Sequence, residues 1–414
     1  MKGGSGSWRR NGRSSGLALG AWLALGCEGG LGQSDAGMTA PTADTATGSQ
    51  DSAGSDGADG SGDGVDGAEP TLTEVLKSTV DTGSTGEVTV TVPISSERSF
   101  MVLGTTETNA RLAILAIDGP DGKRLLQWQD WTSATESLTN AFWATAPATV
   151  INWPIRAEDP PLVPGDYAVT IGSYKVDGLT PRPNVPVTVS ALAKKDADLS
   201  AGLVKVVIVW AKGMADDDAL VAATKDAVDH WEEVWAKAGM AIEVRYATSD
   251  LDPALPYPSA ASGDVLAAAS GLARESEIAV LIGETIDDDT SQYGVSGQIP
   301  GPLGVSPVSA IVIGWIANAG GDGEFSADDI RLYGEVLAHE VGHYVGLNHP
   351  VSKKYDYWDA LTDTPECDTE EACKASLGTN LMYPVSICDG GTCLSTTVLT
   401  PGQQGIMHRY TGAL

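Results

Sequence analysis

Basic residues are scarce. The 414-residue chain carries 25 Lys and Arg against 55 Asp and Glu, a formal charge of −30 at pH 7. Binding nucleic acid requires clustered Lys and Arg to neutralise phosphates, so the balance argues against a nucleic-acid partner. Long apolar runs are missing too. Beyond the first thirty residues none approaches the ~20 residues that a membrane-spanning helix needs. No Gly-rich loop ending in Lys-Ser/Thr is available to cradle phosphate, and the single G-x-S-x-G (Gly12 to Gly16) falls in the N-terminal leader. Cysteine and histidine number only five each. At 42% apolar residues the chain can still build cores, and its length suits two domains plus tails.

Residues 1–26 read as an export signal, with Lys2, Arg9, Arg10 and Arg13 ahead of the apolar stretch Leu17 to Leu25. The stretch ends Ala24-Leu25-Gly26-Cys27, which resembles the lipobox of bacterial lipoproteins. That resemblance implies a lipid anchor at Cys27, the sole membrane attachment expected, and a place at the cell envelope. Ordinary secretory cleavage after Gly26 fits the same small residues. Without Cys27 four cysteines remain, an even number suited to disulfides in an oxidising compartment. Residues 27–70 then form an acidic Gly/Ser/Asp-rich segment: from 28 to 70 there are nine acids and no Lys, Arg or aromatic residue. Such a segment buries too little apolar surface to offset its ordering entropy, so a flexible tether is expected.

Residues 71–195 carry short β-rich runs, Glu87–Pro93, Arg98–Leu103, Arg111–Ile117, Tyr167–Gly172 and Val185–Ala191, separated by Gly, Pro, Asp and Asn. This spacing predicts an all-β sandwich, with no cluster of chemistry in it. From 200 to 414 the pattern becomes α+β. Val204–Trp210, Ile242–Tyr246, Glu277–Ile282 and Ser309–Trp315 read as strands of a mixed sheet. Helical spacing runs from Asp216 to Ala238, and again from Ala327 to Val345 behind a Ser326 cap, with Asp328 and Asp329 in the first turn.

The second helix carries His339-Glu340-Val341-Gly342-His343-Tyr344-Val345-Gly346-Leu347-Asn348-His349, three of the five histidines within eleven residues. Positions four apart are neighbours on a helix, so His339 and His343 point at one spot. Gly346 permits a left-handed turn that brings His349 round as a third ligand. Three protein ligands leave a fourth position for water, the arrangement of a catalytic zinc site rather than a structural one. Glu340 can reach that water as general base without ligating the ion. His230 and His408 lie outside the pattern and are expected to be structural or on the surface.

H-E-x-x-H-x-x-G-x-x-H resembles the metzincin zinc metalloproteases. Asn380-Leu381-Met382-Tyr383-Pro384 is similar to the turn that, in that clan, lays a Met beneath the metal without ligating it. Asp363-Thr364-Pro365 and Leu399-Thr400-Pro401-Gly402-Gln403-Gln404, followed by Met407, look like pappalysin-type members. Pro384 departs from those, which place Tyr there, and Met382-Tyr383-Pro384 is similar instead to matrixins. The resemblance implies a zinc endopeptidase acting on peptides or proteins, with a zinc-activated water and Glu340 as base; the leader implies that it is exported. Tyr383, one position off, is expected to pack rather than to stabilise an oxyanion.

Cys367, Cys373, Cys388 and Cys393 bracket Met382, and four cysteines allow three pairings, of which the local ones, 367–373 and 388–393, are expected. Asp356, Asp359 and Asp363 either share a Ca2+ ion as hard oxygen ligands or form a solvated acidic loop. A different class of function, a surface-displayed binding protein whose working part is the β-sandwich, stays open. An intact Glu340 counts against it.

Overall fold

The computed structural model describes residues 27–29 and 70–414, apart from 133, 322, 390 and 391. The leader and all but four residues of the expected tether lie outside it. Among the described residues no helix is long and apolar enough to cross a membrane.

The N-terminal part is two four-stranded antiparallel sheets. One has Thr71–Asp81, Pro186–Lys195, Ser99–Thr105 and Ala148–Trp153 in that spatial order; the other has Glu87–Ile94, Gly165–Tyr174, Arg111–Asp118 and Arg124–Gln127. Alternation explains the pairing of faces. Along Glu87–Ile94, Val90, Val92 and Ile94 are buried while Thr89, Thr91 and Pro93 are exposed. Thr71–Asp81 is less regular, because a bulge opposite Ala191 and Leu192 shifts its register midway.

The C-terminal part is built on a sheet ordered Met240–Thr248, Gly202–Trp210, Glu277–Gly283, Ala310–Gly314 and Gln292–Ser296. The first four strands are parallel and the last is antiparallel to its neighbour. Gly202–Trp210 reads as a near-continuous β-branched run because helices cover both faces of the sheet. Val204, Val206 and Ile208 face Trp231, Trp235 and Leu337 of helices Asp218–Ala236 and Ala327–Tyr344. Val207 and Val209 face Leu266 and Ala269 of helix Gly263–Ser270.

The two parts share one continuous core rather than meeting at a linker. Lys194, fully buried at their junction, donates to the carbonyls of His408 (2.8 Å) and Ala413 (2.6 Å) and lies 3.3 Å from Asp196. Burial lowers its pKa to about 8, with Asp196 opposing the shift. The C-terminus itself is tied back, Leu414 pairing with Leu203 and Thr411 with Asn152.

Beyond Gln292–Ser296 the sheet continues with Cys27–Gly29, antiparallel to it, and then Val385–Ser386, parallel to Cys27–Gly29. The segment expected to begin the tether therefore starts with a short strand.

Candidate metal centre

Helix Ala327–Tyr344 starts as its sequence predicts. Ser326 Oγ accepts from Asp329 N–H at 3.2 Å, and Asp329 accepts from Ser326 N–H at 2.8 Å, so a capping box satisfies two otherwise orphaned donors. It ends at Tyr344. Leu347 N–H then bonds back to Gly342 O at 3.0 Å, and Gly346 sits at φ +113°, where a side chain would be strained and would meet Ile406 Cγ2 at 3.1 Å.

That turn swings His349 against the helix. The three Nε2 atoms lie 3.1 Å (His339–His343), 3.2 Å (His339–His349) and 3.0 Å (His343–His349) apart. Ligands about 2.0–2.1 Å from a tetrahedral zinc stand roughly 3.3 Å from one another, so the triangle has the size of a zinc site's base. The other ring nitrogens set the tautomer. Nδ1 of His339 lies 2.6 Å from Leu381 O and Nδ1 of His343 lies 2.7 Å from Leu347 O. Carbonyls only accept, so both Nδ1 atoms carry the proton and both Nε2 lone pairs face inward. Burial lowers the pKa of His339 to about 3 and of His343 to about 4, and drives that of His349 well below its usual value. Neutral imidazoles with converging lone pairs suit a divalent zinc ion, and among the described residues this is the one group of three or more such side chains able to hold a metal.

Glu340, buried on the same helix, faces the edge strand: a Cβ on Gly294 would meet Glu340 Cγ at 2.7 Å. Cys27 is the backbone partner of Gly294, and Glu28 that of Val385. Cys27–Gly29 itself therefore lies between Gln292–Ser296 and Val385–Ser386 as an extended strand.

Met382 lies under the site, fully buried. Its approach depends on Gly342, where a Cβ would meet Met382 Sδ at 2.8 Å, a requirement of H-E-x-G-H that spacing alone does not reveal. The turn is pinned from the C-terminal helix Pro401–Arg409. Asn380 and Gln403 exchange two amide hydrogen bonds (2.8 and 3.2 Å), and Asn380 Oδ1 accepts from Met382 N–H at 2.9 Å. Asp363 caps that same helix by accepting from Gly402 N–H (2.7 Å) and Thr400 Oγ1 (3.1 Å). Glu335, one turn before His339, accepts from Ser395 Oγ (2.6 Å), Thr396 N–H (2.9 Å) and Arg331 (2.8 Å), tying the helix to the chain beyond the Met turn. Neither Gln403 nor Glu335 stands out in the sequence as a clamp, because their partners lie 23 and about 60 positions away.

Tyr383 packs with Val351, Cys373 and Leu377. His408 donates to Ala238 O at 2.7 Å, a structural role, and His230 sits 3.6 Å from Glu335. Disulfides join Cys367 to Cys373 and Cys388 to Cys393. Among the described residues Asp356, Asp359 and Asp363 do not converge as a group able to hold a metal. Asp356 accepts from Ser352, Asp359 from Thr364 and Leu361, and Asp363 from residues 400 and 402, so the three carboxylates serve separate turns. Nor is the loop simply solvated, since Asp359 is buried.

Residues 209–402 match the metallo-peptidase family M12B, Reprolysin-like. A search of curated proteins finds no match. Among solved structures, metalloproteinase-II from Bacteroides fragilis is similar at 14% identity and TM-score 0.27, over 48% of this chain and 60% of that one. The chain thus spans less than two thirds of that protein. Myroilysin matches at 14% identity and TM-score 0.21 (50% of this chain, 83% of that one). The VP2 subviral particle of infectious bursal disease virus matches at 13% and 0.19 (31% and 34%). The family match over the C-terminal part, taken with the three converging imidazoles, supports a zinc metalloprotease.

Proposed function

We propose that the protein is an exported zinc endopeptidase of metzincin type, in which His339, His343 and His349 hold the ion and Glu340 is the general base. The observation that carries this reading is the inward triangle of Nε2 atoms, with Glu340 next to His339 on the same helix. Bound zinc would supply a water of lowered pKa and polarisation of the scissile carbonyl. The chain's own residues do the rest. Hydrogen bonds to Leu381 O and Leu347 O keep two imidazoles in the binding tautomer. Glu340 accepts a proton from the attacking water and returns it to the leaving amine nitrogen. Gly294 of strand Gln292–Ser296 leaves room for the Glu340 side chain. The Met turn and the later Thr400–Gln404 segment favour a pappalysin-like member. Cys27 anchors the chain through lipid under the same proposal.

Glu340→Gln in the full chain tests it. The variant should hold zinc as the wild type does, yet cleave a mixed peptide library at least ~10²–10⁴-fold more slowly in kcat/KM. Undiminished cleavage by the variant, or none by the zinc-loaded wild type, would overturn the peptidase reading and return the binding-module one.

A further inference from the structure

The third ligand is held from outside the metalloprotease part. Asn348 precedes His349 in the turn after Gly346, and its side chain is gripped by a loop of the N-terminal β part more than 200 residues away. Ser137 Oγ donates to Asn348 Oδ1 at 3.0 Å, and Asn348 Nδ2 donates to Leu138 O at 3.2 Å. Both the oxygen and the nitrogen of that amide are thus engaged by this loop. The loop is itself fixed to the metalloprotease part on both flanks. On one, Glu136–Ser137 pairs in parallel with Trp358–Asp359, with Trp358 N–H bonded to Thr135 O (2.9 Å), Ala360 N–H to Ser137 O (3.0 Å) and Tyr357 OH to Glu136 O (2.7 Å). On the other, Asn140 N–H (2.8 Å) and Thr139 Oγ1 (3.1 Å) both donate to Ile299 O. Ile299 leads into Pro300 and Gly301, and Gly301 N–H caps the zinc helix at Tyr344 O (2.8 Å).

From this arrangement we infer that the β part is a built-in support of the metal site: Ser137 and Leu138 are positioning residues that hold Asn348, and through it place His349 over His339 and His343. The inference rests on the zinc reading above and extends it. His339 and His343 have hydrogen-bonded Nδ1 atoms that orient their rings; for His349 the orienting restraint is the adjacent Asn348, clamped by the β part. A β part that supplies a restraint of the metal site is not a removable pro-segment or a spacer.

Zinc affinity of the full chain, measured by chelator competition with the metal alone, tests this. Ser137→Ala and Asn348→Ala should each weaken zinc binding about tenfold, the scale on which groups supporting metal ligands act. Ser137→Thr, which keeps the hydroxyl, should restore the wild-type value. The metal-free variants should unfold in urea near the wild-type midpoint, and their cobalt-substituted forms should show an altered visible spectrum, neither of which a merely stabilising contact would produce. Thr79→Ala, which breaks an exposed contact to Thr188 within the β part, should leave affinity unchanged. Affinities within twofold of wild type for both Ser137→Ala and Asn348→Ala, while His343→Ala abolishes binding, would overturn the support role and leave the zinc site standing. If His343→Ala binds as wild type does, the zinc reading itself fails and the support role with it.

Discussion

The three histidines of the candidate site are positioned in two different ways. His339 and His343 come from one helix, four residues apart, with both rings oriented by carbonyls of Leu381 and Leu347 on the same part of the chain. His349 comes from a turn, and what fixes that turn is spread over residues 137–140, 299–301 and 406. Helical periodicity makes the first pair a local property of sequence. The third is a tertiary property, and it enlists the N-terminal β part.

Removing the β part is the strongest way to break this comparison. A chain starting at residue 200 loses the Asn348 clamp, the strand pairing at Trp358–Asp359 and the Lys194 bonds to the C-terminal helix, and it bares apolar surface of the shared core. It should fail to unfold cooperatively in urea and should bind zinc far more weakly than the full chain. A fragment that melts in one sharp transition with wild-type zinc affinity would mean that the C-terminal part places His349 unaided.

A subtler difference lies in two buried carboxylates, one on each side. Glu335, on the zinc helix, is 1% exposed. Burial raises its pKa, but contacts to His230, Ser395 and Thr396 and the charge of Arg331 outweigh it and bring it to about 2. A depressed acid contributes stability above its unfolded pKa, and that contribution vanishes as pH falls through about 2. At neutral pH it amounts to roughly 3 kcal/mol at 1.36 kcal/mol per unit. Asp359, beside the supporting loop, behaves oppositely. Burial raises its pKa to about 7 despite bonds from Thr364 and Leu361, and Asp363 and Glu136 add to the rise. The folded state then binds more protons than the unfolded between about 4 and 7, so stability falls as pH rises through that window. Urea melts from pH 2 to 8 should therefore show Glu335→Gln losing ground to the wild type as pH rises from 2 to 5. Asp359→Asn should gain ground between pH 4 and 8, by a somewhat smaller net amount because the wild-type acid can relax toward water. Parallel curves for either variant and the wild type would remove that carboxylate from the account.

Much of the site was legible because its signal is local. The two helical histidines, Glu340, the Ser326 cap, the Gly346 turn and the nearest-neighbour disulfides all depend on residues within about ten positions of one another. What stayed hidden depends on partners far away. Gln292–Ser296 (QYGVS) lacks alternation, and Gly294 reads as a turn residue; it is a strand because the neighbouring sheet edge pairs with it, and its Gly is there for Glu340. Thr71–Asp81 was obscured by the bulge that breaks its period of two. Asp356, Asp359 and Asp363 looked like one oxygen cluster in sequence, yet each caps or closes a different turn. Ser137 and Asn348, 211 positions apart, offer no sequence signal at all.

Zinc K-edge X-ray absorption on the zinc-loaded full chain tests for an open three-histidine zinc site. Three imidazole nitrogens and one exchangeable oxygen, all at roughly 2.0–2.1 Å, are predicted, with one imidazole lost in His349→Ala. A fourth protein ligand, a sulfur at ~2.3 Å, or a shell unchanged by His349→Ala would contradict it.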